Sequence, residues 1–142
     1  MSIAKMFGPY KQIEGAIEAG FGHIRRMGDS NKTEYAFVVA LKIQGTNRSY
    51  CYSEPTTSRA QNYVNLNIEL APGLVGRAFC HNHPDNIADA GFGSDDAASY
   101  SAAAKNGSTL VWYMLNKFNE IRIAQSQADF PTGRVTGFKP KP

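Results

Sequence analysis

The sequence predicts one domain of the α/β (α+β) class, with a single mixed sheet flanked by an N-terminal helix and a second helix later in the chain. Its 142 residues are 42% hydrophobic and 19% charged, which is typical of one globular domain. Apolar residues recur at helical spacing near the N-terminus, and later segments alternate with the period of a strand. The predicted order is αββββαββ without internal repeats, so all strands are assigned to one sheet.

The first predicted element is a helix over residues 10–27. Its apolar side chains lie at steps of three and four and therefore share one face: Tyr10, Ile13, Ile17, Phe21, Ile24 and Met27. Gly15, Gly20 and Gly22 lower the intrinsic stability of this helix. We therefore expect packing of the apolar face against the sheet to hold it.

Six strands are predicted from alternation, apolar content and turn residues: 35–43, 49–54, 63–70, 74–80, 109–115 and 120–125. The first of them is apolar on both faces, which predicts a buried central strand. The fourth carries His81 and His83 at its end. Residues 97–105 are rich in alanine and form the second helix, which ends at Asn106 and Gly107.

The domain is expected to span residues 1–142, with a core at about 10–125. Residues 126–142 form a C-terminal tail rich in proline and glycine, which we expect to be loosely held.

Charge and cysteine content argue against several classes of function. The net charge of +3 is mild, and the basic residues are scattered, so no stripe for tracking nucleic-acid phosphates is visible. No apolar run is long enough to span a bilayer, and the N-terminus has no signal-peptide pattern, so we expect no membrane partner. Cys51 and Cys80 are too few for a disulfide framework and fit a cytosolic compartment, with one disulfide as the alternative.

The segment that suggests chemistry follows the fourth strand. His81 and His83 are two residues apart, so their imidazoles can face the same side of a strand. Two imidazoles and one carboxylate form a zinc-binding set that leaves a position for water, whose pKa zinc lowers to about 7. Asp95 or Asp96, at the start of the second helix, can supply the carboxylate. A general base is then required to take the proton.

The histidine pair and the acidic helix start each also have an explanation that involves no metal. A His-x-His pair alone is a weak signal, and Ser94, Asp95 and Asp96 suit a helix N-terminus through the helix dipole alone. Their combination at the end of an apolar strand, joined by a short glycine-containing loop, favours a metal site. We expect Cys80 to face the opposite side of the strand in the core, and His23 to be a structural or exposed helix residue.

The HNHP tetrad followed by a loop and a Ser/Asp helix start resembles the motif of JAMM (MPN+) metallopeptidases, written as a distant Glu, then HxHP, then SxxD. HNHP also resembles the RadC-like branch of that superfamily. The layout is similar to the small JAMM-like domains at the C-termini of bacterial RHS-type and other polymorphic toxins. Here Glu34 and Tyr35 open the first strand, and Phe92 precedes Asp96 by four residues. The resemblance covers roughly residues 10–125 and implies a JAMM/deaminase-like fold.

The resemblance implies that His81, His83 and Asp96 bind Zn²⁺ and that Glu34 is the general base. The other candidate base is Glu54, which lies beside Pro55 in a polar loop. The family also uses a serine that stabilises the tetrahedral intermediate. Three positions before Asp96 this chain has Gly93, and Ser94 follows one residue later. Either Ser94 reaches the site or this stabilisation, typically worth about 10²–10³ in rate, is weakened. The spacing from His83 that is usual in the family fits Asp95 better than Asp96.

The function implied is that of a zinc-dependent peptidase or isopeptidase acting on a polypeptide or an isopeptide-linked substrate. The toxin resemblance implies an effector module that is delivered as part of a larger polypeptide, acts in the cytoplasm of a target cell and meets a cognate immunity protein. Two alternatives remain. One is a RadC-like protein associated with DNA, although nucleic acid is not the expected partner. The other is a catalytically silent JAMM-like binding module.

Overall fold

The computed structural model describes residues 3–57 and 68–142. In this part of the chain two helices and eight strands follow one another, with one 3₁₀ turn at Gln127–Asp129. The helices are α1 (Ile13–Arg26) and α2 (Ser94–Lys105). The strands are β1 (Met6–Tyr10), β2 (Tyr35–Gln44), β3 (Asn47–Ser53), β4 (Thr56–Thr57), β5 (Leu74–Asn82), β6 (Val111–Leu115), β7 (Ile121–Ala124) and β8 (Arg134–Val135). The α+β class is confirmed.

All described strands belong to one sheet with the order β1-β3-β2-β5-β6-β7-β8, and the short β4 also pairs with β2. Among the described strands only β5 and β6 pair in parallel, and α2 lies in the connection between them, as a parallel pair requires a crossover. Residues 35–41 of β2 are all buried. The prediction of a buried central strand is therefore confirmed.

Helix α1 covers one face of the sheet. Ile17, Phe21 and Ile24 are fully buried and belong to the same core cluster as Phe37 and Val39 of β2. The predicted docking face of α1 is confirmed for these three residues, whereas Met27, assigned to the same face, follows the helix and is 41% exposed.

Alternate residues of β5 face opposite layers. Cys80 lies in the α1 cluster, as expected, and its thiol and that of Cys51 are both free. Phe79, one residue earlier, packs with Trp112 and Phe92 in a second cluster on the side of α2. The site carried by β5 is thus placed by strand alternation.

Strand β1 was not expected from the sequence. It pairs with β3, and Tyr10, which was assigned to the first helix, is its last residue. Helix α1 therefore begins at Ile13. The Gly8-Pro9 pair interrupts the strand pattern, although proline is tolerated at a sheet edge.

The expectation of a loosely held tail is wrong. Phe138 packs against the α1 core cluster and stacks on Tyr113 with ring centroids 6.0 Å apart. The backbone amide of Lys141 donates to the carbonyl of Glu18 at 3.0 Å. Gly22 makes this approach possible, because a Cβ there would overlap the Lys141 carbonyl.

The predicted strand over 63–70 lies mostly outside the described residues. Within them, Glu69 forms an isolated bridge with Ile3.

Neither described helix combines the length and the apolar character that crossing a membrane requires.

We expect Gly20→Ala to destabilise the protein. A Cβ at position 20 would overlap the ring of Phe37, which is fully buried. Overpacking of this kind costs about 1–3 kcal/mol, more than the roughly 1 kcal/mol that alanine gains over glycine in a helix. Urea unfolding of the variant and the wild type measures the difference.

Gly15→Ala is the matched control on the same helix. Its Cβ would meet Tyr10 at 3.6 Å, an ordinary contact, so we expect unchanged or increased stability. Equal stabilities for the two variants would contradict close packing of α1 on β2.

Candidate metal centre

Two adjacent elements bring the candidate ligands together. His81 is the penultimate residue of β5, His83 follows the strand, and Asp96 is the third residue of α2. The amide of His83 donates to the carbonyl of Leu115 at 2.9 Å, which keeps the end of β5 beside β6. The ligands therefore stand on a hydrogen-bonded strand end and on the first turn of a helix.

The three side chains converge on one point. His81 Nε2 and His83 Nε2 lie 3.1 Å and 3.0 Å from the same atom, Asp96 Oδ2. All three residues are buried, with exposed fractions of 1%, 7% and 6%. Asp95 is exposed, so of the two candidate aspartates it is Asp96 that joins the histidines. One candidate ligand atom from each side chain lies within 4.8 Å of the others.

This arrangement fits a divalent metal ion. Zinc bound at about 2.0–2.2 Å by tetrahedral nitrogen and oxygen ligands requires ligand atoms about 3.3 Å apart, close to the contacts that Asp96 makes. His81 Nδ1 and His83 Nδ1 are buried without a hydrogen-bond partner among the described residues. Such atoms are uncommon in native proteins and costly to stability. These Nδ1 atoms are not the nitrogens that meet Asp96, so they bear on how the rings are oriented. What suits a metal is the set of two Nε2 atoms and one carboxylate oxygen.

Charges at the site stabilise one another. Burial raises the pKa of Asp96, but the His81 and His83 imidazoles outweigh burial and hold that pKa well below its usual range. Burial lowers the pKa of His81, but Asp96 and then Glu34 raise it above the usual value. A buried carboxylate therefore needs positive charge beside it, which a cation can supply.

Aromatic rings surround His81. The Phe79 and Phe92 ring centroids lie 5.6 Å and 6.0 Å from its imidazole, and the Trp112 ring approaches it edge-on at 6.0 Å. Phe92 and Trp112 are themselves buried. Packed rings fix the imidazole orientation and lower the local dielectric constant, which strengthens each electrostatic interaction.

Glu34 is on the same face of the sheet as the three converging side chains. It precedes β2 directly, and Ala36 of β2 is opposite His81 in the register, so Glu34 points to the same face by alternation. Its charge is the smallest of the influences that raise the pKa of His81. Glu34 is partly buried and lines a cleft of about 360 Å³ together with Pro84 and Ile87.

The other candidate base is placed differently. Glu54 is exposed, and its charge acts on His23 of α1. His23 Nδ1 in turn lies 3.0 Å from the hydroxyl oxygen of Tyr52. Of the two glutamates, Glu34 is thus on the face of the His81–His83–Asp96 group and Glu54 is on the α1 side.

Ser94 is not in the group of converging side chains. It is the first residue of α2 and is exposed, two residues before Asp96. Ser99 is the buried serine of this helix, and its hydroxyl donates to the Asp95 carbonyl at 2.9 Å.

Sequence reasoning missed two asparagines that frame the site. Asn82 and Asn116 are each 2% exposed. Asn116 Nδ2 donates to the Ala90 carbonyl at 2.8 Å and so holds the loop that leads to α2. Strand alternation could have identified Asn82, because it places that polar residue on the same face as the buried Ala78 and Cys80.

Comparison with protein families, with curated proteins and with solved structures finds no match to this chain. The geometry at the end of β5 and the motif resemblance therefore carry the functional argument.

We expect the protein to bind one divalent metal ion per chain and Asp96→Asn to weaken that binding by about tenfold or more, since even loss of a group that only orients a ligand costs that much. The substitution removes the charged ligand oxygen on which both imidazoles converge. Metal content after dialysis, together with titration of Zn²⁺ into metal-free protein, measures the effect.

Asp95→Asn is the matched control, because it removes the same charge from the exposed neighbour. It should retain metal. Loss of metal in Asp95→Asn alone would mean that the helix start is displaced by one residue in solution.

Proposed function

We propose that this protein is a zinc-dependent amide hydrolase, a peptidase or isopeptidase of the JAMM type. The observation that carries the proposal is the buried convergence of His81, His83 and Asp96, with Glu34 on the same face of the sheet. Two imidazoles, a carboxylate and a nearby glutamate are the side chains that metal-assisted hydrolysis needs.

Zinc is the metal that we propose. Imidazole and carboxylate ligands also suit other transition metals, and the HNHP resemblance is what favours zinc. When bound, zinc would act as a Lewis acid, polarising a substrate carbonyl and lowering the pKa of water.

The chain's own residues would supply orientation and proton transfer. Glu34, partly buried at the cleft, would accept a proton from the attacking water and then donate it to the leaving amine. The packed rings of Phe79, Phe92 and Trp112 would exclude water from behind His81. Ser94 lies at the exposed start of α2. It would contribute to oxyanion stabilisation only if a bound substrate placed its oxyanion beside the Ser94 hydroxyl.

The substrate class proposed is a polypeptide or an isopeptide-linked conjugate. The resemblance to toxin domains supports a delivered effector that acts in the cytoplasm of a target cell and is countered by an immunity protein. The described residues show no feature that favours the RadC-like role over hydrolysis.

We expect Glu34→Gln to retain its fold and its metal but to lose at least about 100-fold in kcat, because it removes the proton acceptor while leaving all three ligands. The zinc-loaded protein is assayed on casein, isopeptide-linked diubiquitin and peptidoglycan stem peptides. Growth inhibition on expression in a bacterial host gives a second readout.

Glu54→Gln is the matched control, since it removes a carboxylate that acts on His23 instead of His81. We expect it to be fully active. A fully active, metal-loaded Glu34→Gln variant would overturn the assignment of the base. A zinc-loaded wild type that cleaves none of the substrates and does not inhibit growth would overturn hydrolysis in favour of a silent binding module.

A further inference from the structure

Asn82 stands between the two histidines and points to the other side of β5. It is 2% exposed, and its side chain makes three hydrogen bonds. Its Oδ1 accepts the backbone N–H of Tyr35 at 2.7 Å. Its Nδ2 donates to the carbonyls of Ser30 and Thr33 at 3.0 Å and 3.1 Å.

These bonds enclose Glu34. Thr33 and Tyr35 are its two sequence neighbours, so one side chain fixes the backbone immediately before and after the carboxylate-bearing residue. Asn82 itself is flanked by two candidate metal ligands. The positions of the proposed base and of the ligands are therefore linked through a single buried amide.

We propose that Asn82 is the positioning residue that holds Glu34 in register with the His81–His83–Asp96 group. This inference rests on the proposed function. An asparagine suits the role because its amide combines one acceptor with two donors, and all of these are used. Aspartate would offer no donor to the two carbonyls, and serine is too short to reach all three partners.

Other contacts also restrain this segment. The Tyr35 hydroxyl donates to Asp29 at 2.7 Å, and the Thr57 hydroxyl donates to the Glu34 carbonyl at 2.9 Å. Removal of the Asn82 amide should therefore loosen the segment without unfolding it. Because a displacement of about 1 Å can cost roughly 10²-fold in rate, loosening alone is enough to reduce turnover.

The experiment compares Asn82→Ala with Asn116→Ala in the zinc-loaded protein. Asn116 is equally buried, but its amide holds Ala90 and the β6–β7 turn. Hydrogen exchange of the Tyr35 amide is measured by NMR, together with zinc content, kcat and KM on the substrate that the wild type cleaves. Each variant is also combined with Glu34→Gln.

We expect Asn82→Ala to speed Tyr35 exchange by about tenfold or more, because its acceptor is lost. It should keep one zinc per chain and lower kcat by about 10–100-fold with little change in KM. In the Glu34→Gln background, Asn82→Ala should cause no further loss of kcat, since the effects of residues that act through one another are not additive. Asn116→Ala should leave the exchange rate of the Tyr35 amide unchanged. Its effect on kcat should add in full to that of Glu34→Gln.

Unchanged Tyr35 exchange, or kcat losses that multiply in the Asn82→Ala/Glu34→Gln double variant, would overturn the inference. Asn82→Ser serves as the test variant if Asn82→Ala does not fold. A wild type without activity would instead overturn the proposed function, and Tyr35 exchange would still report whether Asn82 holds the segment.

Discussion

The pairing of β2 with β5 is the constraint on which the rest of the structure depends. It places Ala36 opposite His81 and Phe37 opposite Cys80. A slip of one residue along β5 would reverse every side chain. Cys80 would leave the α1 core, and His81 would turn away from Asp96. The two buried layers thus specify one register, and that register forms the candidate metal site.

Burial of the Asp96 carboxylate between two imidazoles costs solvation free energy. Asp96 is a buried carboxylate, and among the described residues the Nδ1 atoms of His81 and His83 have no hydrogen-bond partner. A buried charge is tolerated when opposite charge lies beside it. Here the imidazoles meet that requirement, and a bound cation would meet it more fully. The aromatic residues around His81 lower the local dielectric constant. This raises the desolvation cost of the charged groups and also strengthens the attraction between Asp96 and the imidazoles.

Periodicity was enough to predict α1, β2, β5 and the convergence of His81 and His83, because these depend on side-chain alternation within one segment. It failed where contacts are long-range. The tail binds α1 through the Lys141 amide, and nothing within the tail sequence indicates a partner so far along the chain. The choice between Asp95 and Asp96 was open for a different reason. The first residue of a helix can be predicted from sequence only to within a residue or two. Successive side chains of a helix point about 100° apart, so this uncertainty decides which of the two aspartates faces the histidines.

Two buried asparagines connect the ends of the central strands to the loops beside the site. Asn82 ends β5 and Asn116 follows β6, the two parallel neighbours, and each holds a different loop at the same end of the sheet. The ligands come from β5 and α2, whereas Glu34 comes from the connection between α1 and β2. The Asn82 amide joins these two parts of the site, because it belongs to β5 and bonds the carbonyl of Thr33 and the amide of Tyr35 on either side of Glu34.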